Sequence, residues 1–206
     1  MMNEFRSHPK IGGWLYTEHH DVINEWNGYY RFDRTDKYTG LDGIVPGMTL
    51  NDLHSNIYIA PEGPLCRNVS PSEKVKVNLF ASFMTGIDYG ASLILKTSLY
   101  GWDQLGNYKT FTISSQPIAY QPWSAKELRP LEIQMPAMRG LAILSLVVED
   151  ASGNILQRNF TTFQIGEGAA ARQETINEKE IIIKIVRFAP DSYKSESWSE
   201  KQWNVL

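Results

Sequence analysis

The chain has 206 residues, of which 42% are hydrophobic and 12% aromatic, with a net charge of −3 and a pI near 5.8. This composition excludes a disordered chain and suffices for one large or two small globular domains. The acidic balance argues against nucleic acid or an anionic membrane as the main partner, because both call for a basic surface. A single cysteine, Cys66, excludes an internal disulfide and leaves the redox compartment open.

The N-terminal residues predict the end of a helix. Asn3 to His8 have the composition of a last helical turn, and Pro9 marks its stop. No apolar run approaches the roughly 20 residues of a membrane span, and the first residues lack the apolar core of a signal peptide. We interpret the start of the chain as artificial, so its localisation stays open.

The stretch from Ile11 to Arg34 carries the strongest local pattern: I-G-G-W-L-Y-T-E-H-H-D-V-I-N-E-W-N-G-Y-Y-R-F-D-R. An unbroken apolar run to Tyr16, followed by an abrupt polar segment, predicts a strand buried on both faces. Polar residues at the C-terminal end of a strand are typical of a barrel of parallel strands wrapped by helices, whose active site is built there. Any buried strand that enters a hydrated loop would give a similar pattern.

The particular residues resemble a known family. G-G-W-L-Y-T-E-x-x-D-V, followed by E-W-N-G and then D-R, resembles the last strand and final loop of the catalytic barrel in the β-galactosidase-like enzymes of glycoside hydrolase family 2. Pro46 to Leu50 and Asp52 to His54 resemble the exit from that barrel. The resemblance implies the C-terminal part of a retaining hydrolase of β-galactoside-like glycosides, with residues 1–60 as the end of an incomplete (β/α)8 barrel.

The resemblance also implies which residues line the substrate pocket: Tyr16, Glu18, Asp21, Glu25, Trp26 and Asn27. A retaining glycosidase needs two carboxyls about 5 to 5.5 Å apart, one as acid/base and one as nucleophile. In the family both come from earlier barrel strands, so we assign no catalytic residue to this chain and expect it to be inactive alone. Glu18 is a tempting substitute, but it matches a position of the pocket wall.

The sequence predicts no metal site and no cofactor. His19 and His20 are adjacent in the predicted strand and would point to opposite faces, so they cannot easily chelate one ion. In some family members the asparagine that matches Asn27 helps to ligate a cation, as an amide oxygen can. The other ligands of that site are missing here. Without the family, Asn27 and Gly28 predict a turn in which the glycine takes a positive φ.

From about Pro61 the pattern changes to the alternation of half-buried strands. Val75, Val77, Leu79, Ala81 and Phe83 share one predicted face, and lysines and polar residues share the other. Further strands are predicted from Leu93 towards Leu99 and at Thr110 to Ile113, Leu131 to Met135, Leu141 to Val148 and Ile155 to Ile165, with a hairpin loop at Asp150 to Asn154. Together they predict a mainly β fold, an immunoglobulin-like antiparallel β-sandwich over residues 61–166.

Residues 167–206 are predicted as a linker and the start of a further, jelly-roll-like domain. Gly166 to Glu180 is small and polar, Ile181 to Val186 predicts a strand, and aromatic residues follow at Phe188, Tyr193, Trp198 and Trp203. The expected partners are therefore the missing barrel and jelly-roll domains of the same parent chain, and a glycoside bound by the complete enzyme. The alternative is a free-standing sandwich that binds sugar or protein, with the first 60 residues as an arm wrapped over it.

Overall fold

The computed structural model describes residues 1–166, which form one compact, mainly β unit. Within these residues, three short helices precede the strands: α1 (Met2–Arg6), α2 (Leu41–Ile44) and α3 (Leu50–Leu53). Eight described strands follow: β1 (Ile57–Pro61), β2 (Cys66–Val69), β3 (Lys74–Phe83), β4 (Ser92–Asp103), β5 (Tyr108–Ala119), β6 (Ser124–Gln134), β7 (Gly140–Glu149) and β8 (Ile155–Ile165). The predicted linker, strand and aromatic residues beyond Gly166 lie outside the described residues.

The strands form two sheets with one shared core. The first sheet has the order β1-β3-β6 and the second β2-β8-β7-β4-β5. All described neighbours are antiparallel except β2 and β8, which pair in parallel. One continuous apolar cluster takes side chains from both sheets, among them Leu79, Leu95 and Leu144. The architecture is thus a β-sandwich, as the alternating pattern predicts.

The alternation in β3 is confirmed residue by residue. Val77, Leu79, Ala81 and Phe83 are buried in the core, and Val75 packs against its edge. The opposite face is polar at Lys74, Lys76 and Asn78, but Phe80 and Ser82 are buried as well. The N-terminal residues cover this end of the outer face, which explains why the alternation in exposure stops there.

The β7–β8 hairpin is also confirmed. Asp150 to Asn154 form its loop, in which the Asp150 carboxylate accepts hydrogen bonds from the Ser152 and Asn154 amides, both at 2.9 Å. Gly153 has φ +83°, a left-handed conformation that glycine adopts without steric cost.

The first two strands of the sandwich, β1 and β2, have no clear alternating pattern in the sequence, and the sequence analysis does not predict them. Tyr58, Ile59 and Ala60 in β1 are fully buried, so the alternation of a half-buried strand is absent. The free edge of β1 is closed by side chains of β8. The Ile59 amide donates to Gln157 Oε1 at 3.0 Å, and Asn159 Nδ2 donates to the Ile59 carbonyl at 2.9 Å. Such cover protects an edge strand from pairing with other chains.

The predicted buried strand from Ile11 to Tyr16 is wrong for this chain. These residues form no strand, and Leu15 is 87% exposed. A central barrel strand needs a neighbour on each side to satisfy its backbone hydrogen bonds. Residues 1–166 contain no such neighbour, and this part of the chain does not show a barrel fragment.

The residues before β1 pack on the outer faces of both sheets. The helix predicted near the N-terminus is present as α1, and its Met2 contacts Tyr58 and Phe80. On the other sheet, Val45 and Met48 flank α2 and α3 and pack with Tyr100, Ile143 and Phe160. The N-terminal segment is therefore attached to the sandwich at two places.

Candidate functional site

The candidate site lies in an irregular loop between α1 and α2, at residues 16–40. Isolated backbone bridges join His20 to Tyr30 and Tyr30 to Asp36, and a tight turn joins Val22 to Glu25. Without regular strands, the shape of this loop depends on side chains that bind its backbone. Those side chains decide where each predicted pocket residue lies.

Asp21 and Lys37 hold the loop together. Asp21 is only 6% exposed, and its carboxylate accepts hydrogen bonds from the Gly28 amide at 3.0 Å and from the Lys37 ammonium. Lys37 also donates to the carbonyls of Trp26 at 2.9 Å and Gly28 at 2.8 Å. All three ammonium protons thus have acceptors. Asp21 was predicted to face the sugar, but within residues 1–166 its charge is directed at the loop itself.

Gly28 is required by a close backbone approach. A Cβ at this position would lie 2.2 Å from the carbonyl carbon of His20. The φ angle of Gly28 is not positive, so the expected reason for the glycine was wrong. The nearby residue with a left-handed backbone is Arg34, with φ 66°.

Tyr16 and Asn27 are in contact. The Tyr16 hydroxyl donates to the Asn27 carbonyl, and the Tyr16 ring stacks on Tyr29 with centroids 4.1 Å apart and planes 6° from parallel. Tyr29 in turn bonds His54 Nε2 at 2.8 Å, and burial raises the pKa of Tyr29. Burial also lowers the pKa of His54. The Asn27 side chain is exposed.

Glu18 and Glu25 form a carboxyl pair. A hydrogen bond with Glu25 is the main cause that raises the pKa of Glu18, and burial and the negative charge of Glu25 act in the same direction. Two carboxyls that share a proton behave in this way. In a retaining glycosidase the two carboxyls stand about 5 to 5.5 Å apart, so that the sugar fits between them.

Trp26 lines an open groove of about 750 Å³. Trp26 is 81% exposed and Tyr38 85% exposed. The groove, which we call the loop groove, is lined by Asp21, Val22, Ile23, Trp26, Arg31, Phe32, Asp33, Lys37 and Tyr38. Apolar walls with a few charged groups are typical of ligand pockets and docking surfaces.

The structure brings the six predicted pocket residues into one loop but not around one cavity. Asp21 and Trp26 line the loop groove, and Tyr16, Glu18, Glu25 and Asn27 do not. Sequence reasoning missed Lys37, Phe32 and Tyr38. The sequence shows Phe32 and Tyr38 as aromatic residues in a polar stretch, which is the one signal it offers for this groove, whereas a lysine bonded to distant carbonyls leaves no sequence pattern.

Residues 1–166 contain no group of three histidine, cysteine or carboxylate side chains that could hold a metal ion. The His19 and His20 rings are 6.1 Å apart and nearly perpendicular. In the same described part of the chain, no helix is long and apolar enough to cross a bilayer.

No model of a known family matches the chain, and no curated protein matches it. Similar solved structures include a glycosyl hydrolase family 2 member from Bacteroides cellulosilyticus, with 14% identity over 53% of this chain and a TM-score of 0.32. A Paenibacillus sp. cycloisomaltooligosaccharide glucanotransferase has 9% identity over 54% of this chain and a TM-score of 0.34. The match covers 13% of each of those two chains. A superoxide reductase from Ignicoccus hospitalis has 9% identity, covers 63% of this chain and 99% of its own, and has a TM-score of 0.37. All three TM-scores lie below 0.5, so these likenesses do not assign a family.

Proposed function

We propose that this chain is the C-terminal part of a retaining, β-galactosidase-like glycoside hydrolase. It would contribute the wall of a pocket for β-galactoside-like glycosides and an accessory, immunoglobulin-like sandwich. The motif string from Gly12 to Arg34, followed in order by a sandwich, supports the proposal. Its catalytic carboxyl pair would come from barrel strands outside this chain.

One structural observation carries the proposal. Five large apolar side chains between residues 15 and 38 are more than three-fifths exposed: Leu15, Ile23, Trp26, Phe32 and Tyr38. The sandwich buries a continuous core that includes Leu79, Leu95 and Leu144, and its exposed leucines, such as Leu105, are scattered along the strands and turns. Apolar surface of this extent favours a second surface that covers it. A barrel that contains the missing strands would provide one.

The proposal assigns residues 1–60 to the barrel end, 61–166 to the sandwich and 167–206 to a further jelly-roll-like domain, as the sequence predicts, with one change. Strand β1 (Ile57–Pro61) moves to the sandwich, because it pairs with β3 along its whole length. The proposed partners are the missing barrel and jelly-roll domains and the glycoside. Neither nucleic acid nor a membrane is proposed.

A second candidate is a free-standing sandwich that binds sugar or protein. It is favoured by the attachment of the N-terminal segment to both outer faces of the sandwich, where Met2 and Met48 contribute to separate apolar clusters. In this case the loop groove would be a binding surface in its own right. The two candidates differ in whether Tyr16 to Asn27 contact a sugar at a catalytic centre.

An activity assay tests the first candidate. We expect the purified 206-residue chain to show no turnover of aryl β-galactosides, because neither the nucleophile nor the acid has a matching residue here. The control is Glu18→Gln. Turnover that disappears in this variant would contradict both the proposed fragment and the role of Glu18.

The positive test uses the complete hydrolase to which, on this proposal, the chain belongs. There, Asn27→Ala should lower kcat/KM by about tenfold or more, the effect of losing one hydrogen bond to a transition state. The matched control is Asn68→Ala, at an exposed position of β2. Equal kinetics for both variants would favour the second candidate.

A further inference from the structure

A buried arginine lines a small cavity next to α1. Arg6 is 4% exposed, and its guanidinium lies between the rings of Trp14 and Tyr58, 5.0 and 5.1 Å from their centroids. The cavity measures about 170 Å³ and is also lined by Phe5, His8, Pro9, Ile11, Trp14, Ser82, Phe83, Met84, Trp123, Ser124 and Ala125. We call it the Arg6 cavity.

The hydrogen bonds of Arg6 leave donors unused. One terminal nitrogen donates to Ser82 Oγ at 3.3 Å, the other donates to the Ser55 carbonyl, and Nε has no partner among residues 1–166. A guanidinium carries five N–H donors, so three of the five remain free to bind a further acceptor. A buried donor without an acceptor is costly, and more so when it is charged.

The charge of Arg6 has no carboxylate partner within the described residues. Glu4 is on the same helix, but its side chain is 71% exposed and lies 4.0 Å from His8. Burial lowers the pKa of Arg6, and the nearby Tyr58 raises it. Burial also raises the pKa of Tyr58 to about 12, so this phenol is neutral and cannot balance the charge. The aromatic rings stabilise the cation but do not neutralise it.

The wall of the cavity contains a strained residue. Trp123 has φ 54°, a left-handed conformation that is rare for bulky side chains, and it is 71% exposed. Its amide donates to the Thr85 carbonyl at 3.3 Å. Outliers of this kind persist where the surrounding structure enforces them, and they concentrate at ligand sites.

From these observations we propose that the Arg6 cavity binds a small oxyanion. The guanidinium would donate to two of its oxygen atoms, and the indoles of Trp14 and Trp123 would shield the ion pair from water. Carboxylates and phosphates both match the planar fork of arginine. The volume of the cavity restricts the ligand to an anion of a few heavy atoms, well below drug-sized pockets. This inference is independent of the proposed glycosidase.

Anion titrations of the 206-residue chain test the site. Sodium chloride is replaced by sodium acetate or sodium phosphate at constant ionic strength and pH, and Tm and the Arg6 Nε–H resonance are followed. We expect a saturable response, with Tm raised by about 3 to 6 °C at ten times Kd. Comparison of the two salts shows whether the site prefers a planar carboxylate or a tetrahedral phosphate.

Two variants make the test specific. Arg6→Met keeps an apolar side chain between the rings and should abolish the response. Arg67→Met is the matched control, because Arg67 likewise donates two hydrogen bonds, in its case both to backbone carbonyls, and has an Nε without a partner, but it does not line the cavity. A response that does not saturate, that persists in Arg6→Met, or that is lost equally in Arg67→Met would overturn the proposal.

A third variant covers the case in which Arg6→Met does not fold. Trp123→Gly relieves the left-handed strain and opens one wall of the cavity to water. The affinity for the anion should then fall by about fivefold or more, because water weakens the attraction between charges. Unchanged affinity in Trp123→Gly would overturn the proposal.

Discussion

Asp21 matches a motif of pocket residues, but in the described chain its carboxylate binds groups of its own loop. Its position after an apolar run suggested a pocket acid, but it is buried and binds Gly28 and Lys37. Lys37 is 16 residues away and completes the loop through the Trp26 and Gly28 carbonyls. Bonds from a side chain to distant backbone groups depend on the folded path of the chain.

Lys37→Met should loosen the loop of residues 16–40 without unfolding the sandwich. The substitution leaves the buried Asp21 carboxylate with one amide donor and frees two carbonyls, and removing one partner of such a pair costs about 3 kcal/mol or more. Hydrogen exchange of the Gly28 amide should accelerate by about 100-fold, while amides of β7 keep their protection. Lys109→Met, at an exposed position of β5, is the control. Unchanged exchange at Gly28 would show that Lys37 is dispensable.

The Glu18–Glu25 pair predicts a pH dependence within the same loop. The hydrogen bond with Glu25 raises the pKa of Glu18 in the folded chain above its unfolded value. The folded state then binds a proton more tightly than the unfolded state. The stabilisation that this proton gives the fold is present at low pH and is lost as pH rises through the folded pKa of Glu18. Carbon-13 NMR of the carboxyl groups should show Glu18 titrating above the usual range, and Glu25→Ala should lower its pKa. A normal pKa for Glu18 would contradict the shared proton.

Among the elements, α3 is joined to β8 by a buried carboxylate, in addition to the packing of Leu53 against the cluster that contains Phe160. Asp52 closes a capping box with Thr49, and its oxygens accept from the Thr49 amide at 2.8 Å and from the Arg158 amide at 2.7 Å. It also forms an ion pair with the Arg158 side chain at 3.6 Å. One residue thus begins the helix and attaches it to the sheet.

Asp52→Ala should lower the free energy of unfolding by about 3 kcal/mol. The change leaves two buried amides without acceptors and the Arg158 guanidinium without its partner. Urea denaturation followed by circular dichroism measures the loss. Asp36→Ala, at an exposed position of the loop, should cost less than about 0.5 kcal/mol. A loss as small as that of the control would show that α3 attaches without Asp52.

At the scale of the whole molecule, burial divides residues 1–166 into a well-packed sandwich and an exposed loop. The sandwich core includes side chains from all eight described strands, with Val69 as the contribution of β2, whereas Leu15, Phe32 and Tyr38 stay largely exposed. Local stability follows the density of buried contacts. The loop is therefore the part of the described chain that a protease should reach first.

Limited digestion with chymotrypsin should cut first after Leu15, Trp26, Phe32 and Tyr38. The resistant fragment should begin before β1, near residue 41, because Tyr58 to Ala60 are fully buried and α2 and α3 pack on the second sheet. Mass spectrometry of early time points identifies the cuts, with the urea-unfolded chain as a control that is cut throughout. Equal resistance of the loop and the sandwich would contradict this division.

The sequence alone located six of the eight described strands of the sandwich, β3 to β8, because their apolar pattern records which side each strand buries. Val75 to Phe83 and Ile155 to Ile165 could be assigned in this way, and so could the Asp150 to Asn154 loop, whose turn chemistry is local. Only the tertiary structure decided that β1 forms a strand and that Ile11 to Tyr16 does not. Both are apolar segments, but β1 has β3 and the side chains of β8 to satisfy its backbone, and Ile11 to Tyr16 has no such neighbours in residues 1–166. An apolar run shows that a segment can be buried, but the strands beside it decide whether it is.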